Sequence, residues 1–224
     1  MACLLLLAFG MSGPKALAQH QQLFDAYRQE AGDHAALYRG QVENGYPSQF
    51  YLNHPYWGSD AFQPGEILFG DHLYTGLQLR YDTYGNHLVV ITPEKRIAVK
   101  VDMRKVERFT LGQTRFVREG DAFLVCLFEA PGVELMQRLT CKTGTPVVRN
   151  RSSYIVFEQQ SRFLLRMNGR EHVVGSRSSI LELFPEHKKA LKQYASDMEL
   201  DFRNKRAEAL AALTAYAIQL TSKP

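Results

Sequence analysis

Between Glu66 and Val174 apolar residues recur at every second position, and short turn signals interrupt the alternation. Period-two patterning places successive side chains on opposite faces of an extended chain, so the segment reads as half-buried strands. The turns include "YGN" before "HLVVI", "PEK" before "RIAVKV", "LGQ" before "TRFVR", "PG" before "VELMQRLT" and Asn168-Gly169 before "REHVV". Loops this short force antiparallel neighbours. The expected fold is α+β, mainly β: an antiparallel β-meander of about ten strands over 66–175, curled or barrel-like, with one apolar face. In "LYTGLQLRY" the alternation assigns Leu73, Thr75, Leu77, Leu79 and Tyr81 to that face. "AFLVCLF" is apolar on both faces, which predicts cover on both sides.

Residues 176–224 change character. Ser179 and Glu182 have capping-box spacing, and Pro185 suits a first helical position. Leu191, Tyr194 and Met198 form one stripe. Asp201 can cap a last helix whose stripe is Leu210, Leu213, Ala217 and Leu220. A C-terminal helical segment packed on the sheet follows from these stripes. Residues 19–65 read as an N-terminal helical and aromatic arm. Leu23, Phe24, Tyr27 and Ala31 have helical spacing, and an aperiodic stretch follows. Between Gly45 and Gly65 that stretch carries three tyrosines, two phenylalanines and the only tryptophan. Such a segment either covers one end of a sheet or contacts a ligand. The ligand-binding candidates are Tyr46, Phe50, Tyr51, Tyr56, Trp57 and Phe62.

The opening "MACLLLLAFGMSGPKALAQHQQ" has an apolar core from Ala2 to Met11, a Gly/Pro break, and Ala16-Leu17-Ala18. That order predicts a signal peptide over 1–18, cleaved after Ala18 or Gln19, although no Lys or Arg precedes the core. The expected location is the periplasm or the extracellular space. The apolar run is too short for a transmembrane segment. An outer-membrane barrel is disfavoured because Arg80, Lys100, Glu107, Arg138 and Arg166 interrupt the candidate lipid-facing strands. The net charge of +4 is spread along the chain with acids interleaved, unlike the basic stripe of a nucleic-acid binder. After the leader two cysteines remain. A hairpin turning at Pro131-Gly132 sets Cys126 opposite Gln137 and leaves Cys141 roughly 13 Å away, too far for a disulfide.

Chemical motifs are sparse. His34, His54, His72, His87, His172 and His187 form no HxH or HExxH pattern, and there is no CxxC, so neither a metal nor another cofactor is expected. His87 opens a strand after a turn, an ordinary exposed position. No GxSxG elbow is present. Cys126 sits in an apolar strand, and Cys141 adjoins Lys142. Asp60, Glu66, Asp71, Asp82 and Glu94 are candidates for a carboxylate pair that only folding would assemble.

Several blocks in this order resemble a group of uncharacterised exported proteins of Bacteroidetes. They are "LYRG", "NHPYWGSD", "LQLRYDTYGNHLVV", "VERFTLGQTRFVR" and "LELFPEHKKALKQYASDMELDFRNKRAEALAALTAY". The resemblance spans about Ala36 to Leu220. It implies an envelope or secreted location, a β-meander body and a helical tail; the group carries no assigned activity, so no site residue transfers. The expected function is a non-catalytic binding or accessory module of the cell envelope, with an envelope protein or a small apolar or glycan ligand as partner. The rival is an extracytoplasmic hydrolase whose site is assembled from scattered Asp, Glu and His.

Overall fold

The computed structural model describes residues 14–221. The apolar run behind the expected leader lies outside them. Helix α1 (Pro14–Ala31) continues through Ala18 and Gln19, where cleavage is expected. Twelve strands follow: β1 (Gln63–Phe69), β2 (His72–Asp82), β3 (His87–Ile91), β4 (Ala98–Lys100), β5 (Val106–Leu111), β6 (Thr114–Glu119), β7 (Ala122–Ala130), β8 (Val133–Thr143), β9 (Val147–Arg149), β10 (Ser152–Tyr154), β11 (Phe157–Met167) and β12 (Arg170–Val174). Ten make one antiparallel sheet in the order β12-β11-β8-β7-β6-β5-β1-β2-β3-β4, while β9 and β10 pair apart as a ribbon. The meander has one departure: β1 lies between β2 and β5, pairing Ile67 with Phe109.

Two local irregularities set which residues face inward. Gly76 takes φ +65°, open to glycine at little cost, and the β1–β2 register shifts beside it. Tyr74 is therefore buried with Leu77, Leu79 and Tyr81, whereas Leu73 and Thr75, expected on that face, are only half-buried. In β7 a bulge between Cys126 and Phe128 pairs Cys126 with Met136, not Gln137. The extra residue lets Phe123, Val125, Phe128 and Ala130 share the inner face. Both cysteines are free thiols.

The outer face of "AFLVCLF" is covered too, by charged side chains. Leu124, Met136 and Leu164 are buried there. Around them Arg138 pairs with Glu119 at 3.3 Å, and Arg166 pairs with Glu171 at 2.9 Å and with Glu119. Arginine stems exclude water from the leucines while their guanidinium heads stay wet.

The inner face carries two cores. One fills the curl of β1 to β7, where Phe109 stacks on Phe116 with ring centroids 4.4 Å apart and Tyr81 of β2 reaches Phe123 of β7 at 6.4 Å. The other lies between the far ends of β8 and β11, with β12, and the helices α2 (Arg177–Leu183), α3 (Lys188–Asp197) and α4 (Arg206–Thr221). Leu210, Leu213 and Ala217 of α4 are buried there as expected. The capping box of α2 is formed by Ser176 and Ser179, three residues earlier than the Ser179–Glu182 spacing suggested. Pro185 opens a 3-10 turn, and Asp201 accepts from the Arg203 and Asn204 amides in the turn before α4. Met198 falls after α3 and is exposed, so the stripe of that helix ends at Ala195.

Candidate functional site

The arm acts as a strap across the open side of the curl. In the sheet β2 and β11 are six strands apart, yet arm residues touch both. Trp57 N donates to Tyr81 O, and Tyr56 bridges Asp82. Leu52 N donates to Ile155 O, and the Asn53 side chain exchanges two hydrogen bonds with the Phe157 backbone. Gln159 Nε2 reaches back to the Pro55 and Tyr56 carbonyls.

The six aromatic candidates divide within this strap. Tyr46, Tyr51 and Tyr56 pack together, with Phe157 stacked on Tyr51 at 5.4 Å. Trp57 is set edge-on to Phe116 and closes the end of the interior core. Phe62 and Tyr56 both lie under the Arg80 guanidinium, at 4.5 and 4.0 Å. Phe50 is exposed and makes no part of the cluster.

Beneath the strap lies a buried polar cluster. Asp82 ends β2 and His87 begins β3, directly opposite each other. Asp82 is 0 % exposed. Its Oδ1 accepts from the Tyr84 and Gly85 amides at 2.9 and 2.8 Å, and its Oδ2 accepts from the Tyr46 hydroxyl at 2.6 Å. Glu43, with a side chain 3 % exposed, accepts from the Tyr56 hydroxyl at 3.0 Å and lies 3.4 Å from Lys100 Nζ. His87 Nε2 sits between the two carboxylates, 3.4 Å from Glu43 and 3.6 Å from Asp82. His87, expected on the surface, has a side chain only 14 % exposed.

Of the five carboxylates picked out in the sequence, Asp82 alone is buried; Asp60, Glu66, Asp71 and Glu94 are exposed. Sequence reasoning missed Glu43 and Lys100, because no spacing rule links an aperiodic loop to an edge strand. Asp82 carried a signal in "DTYGN", where an aspartate can cap its own turn.

The cluster's electrostatics suit cohesion. Burial first, then the Asp82 carboxylate, pushes the Tyr46 hydroxyl far above its ordinary range. Burial also raises Tyr56; Arg80 opposes the rise and Glu43 reinforces it. Both tyrosines are therefore neutral donors at physiological pH. Burial works against the charge of Glu43, but Tyr56, His87 and Lys100 together hold its carboxyl below the usual range. A carboxyl more acidic in the folded state contributes stability in full above its unfolded pKa, near 4.3, and loses it as pH falls through the folded value. Glu43→Gln should therefore lose less stability than the parent between about pH 5 and pH 3. Urea midpoints at the two pH values check this, and parallel losses would exclude Glu43 as the group responsible. Cys141 is no better a nucleophile than expected: burial and the Asp82 charge raise its thiol, outweighing a hydrogen bond with Thr83.

A second feature lies at the opposite end of β8 and β11. Thr143 pairs with Phe157 at the strap end, and Val133 with Met167 at the other, about 33 Å away at the usual strand rise. There a groove of about 530 Å³ opens between the sheet and the helical tail. Its walls include Val133, Met167, Leu183, Phe184, Ile218 and Leu220, with Glu186, His187 and Thr221 also on the lining.

No protein-family model, no curated protein and no solved structure matches the chain.

Proposed function

We propose that this protein is an exported, non-catalytic binding module of the bacterial cell envelope, of the Bacteroidetes group it resembles, and that it holds a small apolar ligand between its sheet and its helical tail. The groove carries this reading. Its volume lies in the range of small-molecule sites, and Val133, Met167, Phe184, Ile218 and Leu220 give it apolar walls beside about as much polar surface. Exposed apolar side chains elsewhere fall in small groups along the chain, among them Leu23 and Tyr27 on α1, Val42 and Phe50 on the arm, Val148 on β9 and Val173 on β12. That distribution favours a small ligand over a broad docking surface. The leader-like run at the start supports export. No helix among the described residues is long and apolar enough to cross a membrane.

The rival hydrolase gains an assembled cluster in Glu43, Asp82 and His87. Within it Glu43 is held ionised and Tyr46 and Tyr56 stay neutral, so none of these three is a poised proton carrier of the kind general acid–base catalysis requires.

Titration with the fluorescent apolar probe N-phenylnaphthylamine tests the groove. The expected result is saturable binding, weakened at least about tenfold in Met167→Gln and Leu220→Gln, which place an amide where an apolar ligand would lie. Tyr51→Ala, in the strap, should leave it unchanged. Binding lost in Tyr51→Ala and kept in both groove variants would move the site to the arm.

A further inference from the structure

We propose that Glu43, Asp82 and His87 form a site for one divalent transition-metal ion, zinc in kind, which fastens the strap to the β2–β3 hairpin. One carboxylate oxygen each of Glu43 and Asp82 and one ring nitrogen of His87 lie within 4.8 Å of one another. The imidazole nitrogen stands 3.4 and 3.6 Å from the carboxylate oxygens. Charge-assisted hydrogen bonds close to about 2.7–2.9 Å, so both contacts are longer than an optimal one. They fit another geometry. Ligand atoms bound at about 2.0–2.2 Å around a tetrahedral ion are separated by roughly 3.3–3.6 Å.

The surroundings hold each ligand in that arrangement. Asp82 Oδ1 is tied by the Tyr84 and Gly85 amides, and Glu43 Oε1 by the Tyr56 hydroxyl, which leaves the other oxygen of each carboxylate turned to the ring. The Tyr46 hydroxyl orients Asp82 Oδ2 from the side. Hydrogen-bonded carboxylates of this kind are the usual outer support of a metal ligand set. Gly85 makes the ring's position possible. A Cβ there would lie 2.5 Å from His87 Nδ1 and Cε1 and 3.0 Å from Asp82 Oδ2.

The donor set selects the class of ion. Calcium and magnesium prefer shells made of oxygen, whereas an imidazole beside carboxylates suits zinc and its first-row neighbours. Glu43 and Asp82 bring two carboxylates into one buried cluster, a concentration of acidic groups that a divalent cation offsets; Lys100 Nζ stands 3.4 Å from Glu43 Oε2. The Lys100 side chain is 39 % exposed, so its ammonium has a path to solvent when an ion enters. A water would then complete four-coordination.

The test uses the full chain, stripped with a chelator and titrated calorimetrically with Zn²⁺ alone. One equivalent should bind with micromolar affinity or better. Glu43→Gln and His87→Gln should each weaken it at least about tenfold, and Cys141→Ser, which removes the nearby thiol, should not. No saturable uptake by the parent protein would overturn the proposal, as would unchanged affinity in His87→Gln. If that variant fails to fold, Co²⁺ in the parent protein decides. An intense four-coordinate visible spectrum upholds the site, and a weak six-coordinate one overturns it.

Discussion

Phe109→Ala should lower the free energy of unfolding by about 3–5 kcal/mol, among the largest losses available to a single side chain here. The ring is 1 % exposed and lies at the centre of an aromatic cluster. It stacks on Phe116 at 4.4 Å and meets Tyr81 at 5.3 Å and Phe123 at 5.2 Å. Each such aromatic pair is worth about 0.5–1.5 kcal/mol beyond the area it buries. The cavity left by alanine has little room to collapse, because β5 is hydrogen-bonded to β1 on one side and β6 on the other. Urea denaturation measures the loss. Val173→Ala, on an exposed position of an edge strand, is the control and should fall within about 0.5 kcal/mol of the parent. A Phe109→Ala loss no larger than the control's would mean that the curl is not a packed interior.

Asp82→Ala should cost about 3 kcal/mol, because it removes the buried acceptor on which three donors end. The Tyr84 and Gly85 amides and the Tyr46 hydroxyl all end on this carboxylate. Leaving a buried donor unsatisfied costs about 1–3 kcal/mol, and entering water returns part of that. The variant should also free the strap, so limited proteolysis should begin to cut between residues 44 and 60. Asp60→Ala, an exposed carboxylate on the same segment, should be silent in both measurements. Equal behaviour of the two variants would show that the polar cluster does not bind the strap to the sheet.

The strand ladder was legible because alternation and turn chemistry are local. Pro131-Gly132 and Asn168-Gly169 turn the chain where expected, and the stripe of α4 faces the sheet. Partner choice was not legible. The pattern in β1 is the same whether it pairs with one neighbour or two, so its place between β2 and β5 had no signature. The bulge at Leu127 hid for a related reason: "LVCLF" is apolar throughout, and a one-residue slip leaves the pattern unchanged. The polar gap after β8 concealed β9 and β10, whose exposed side chains carry no period. For the buried cluster only the turn-capping role of Asp82 could be read. Glu43 meets it through the path of the strap, a tertiary fact that no local spacing encodes.

The inserted strand also orders events in time. From β6 through β8 each hairpin closes over a short turn, a microsecond process. β1 pairs early with β2, but its other edge stays open until β5 arrives, with β2, β3 and β4 lying between β1 and β5 in the chain. Such long-range pairing raises contact order and slows folding relative to a simple meander of the same strands. Until then the chain exposes the backbone edge of β1 and the unfilled side of the aromatic core, both prone to bind another chain. The window closes when the first strand meets the fifth.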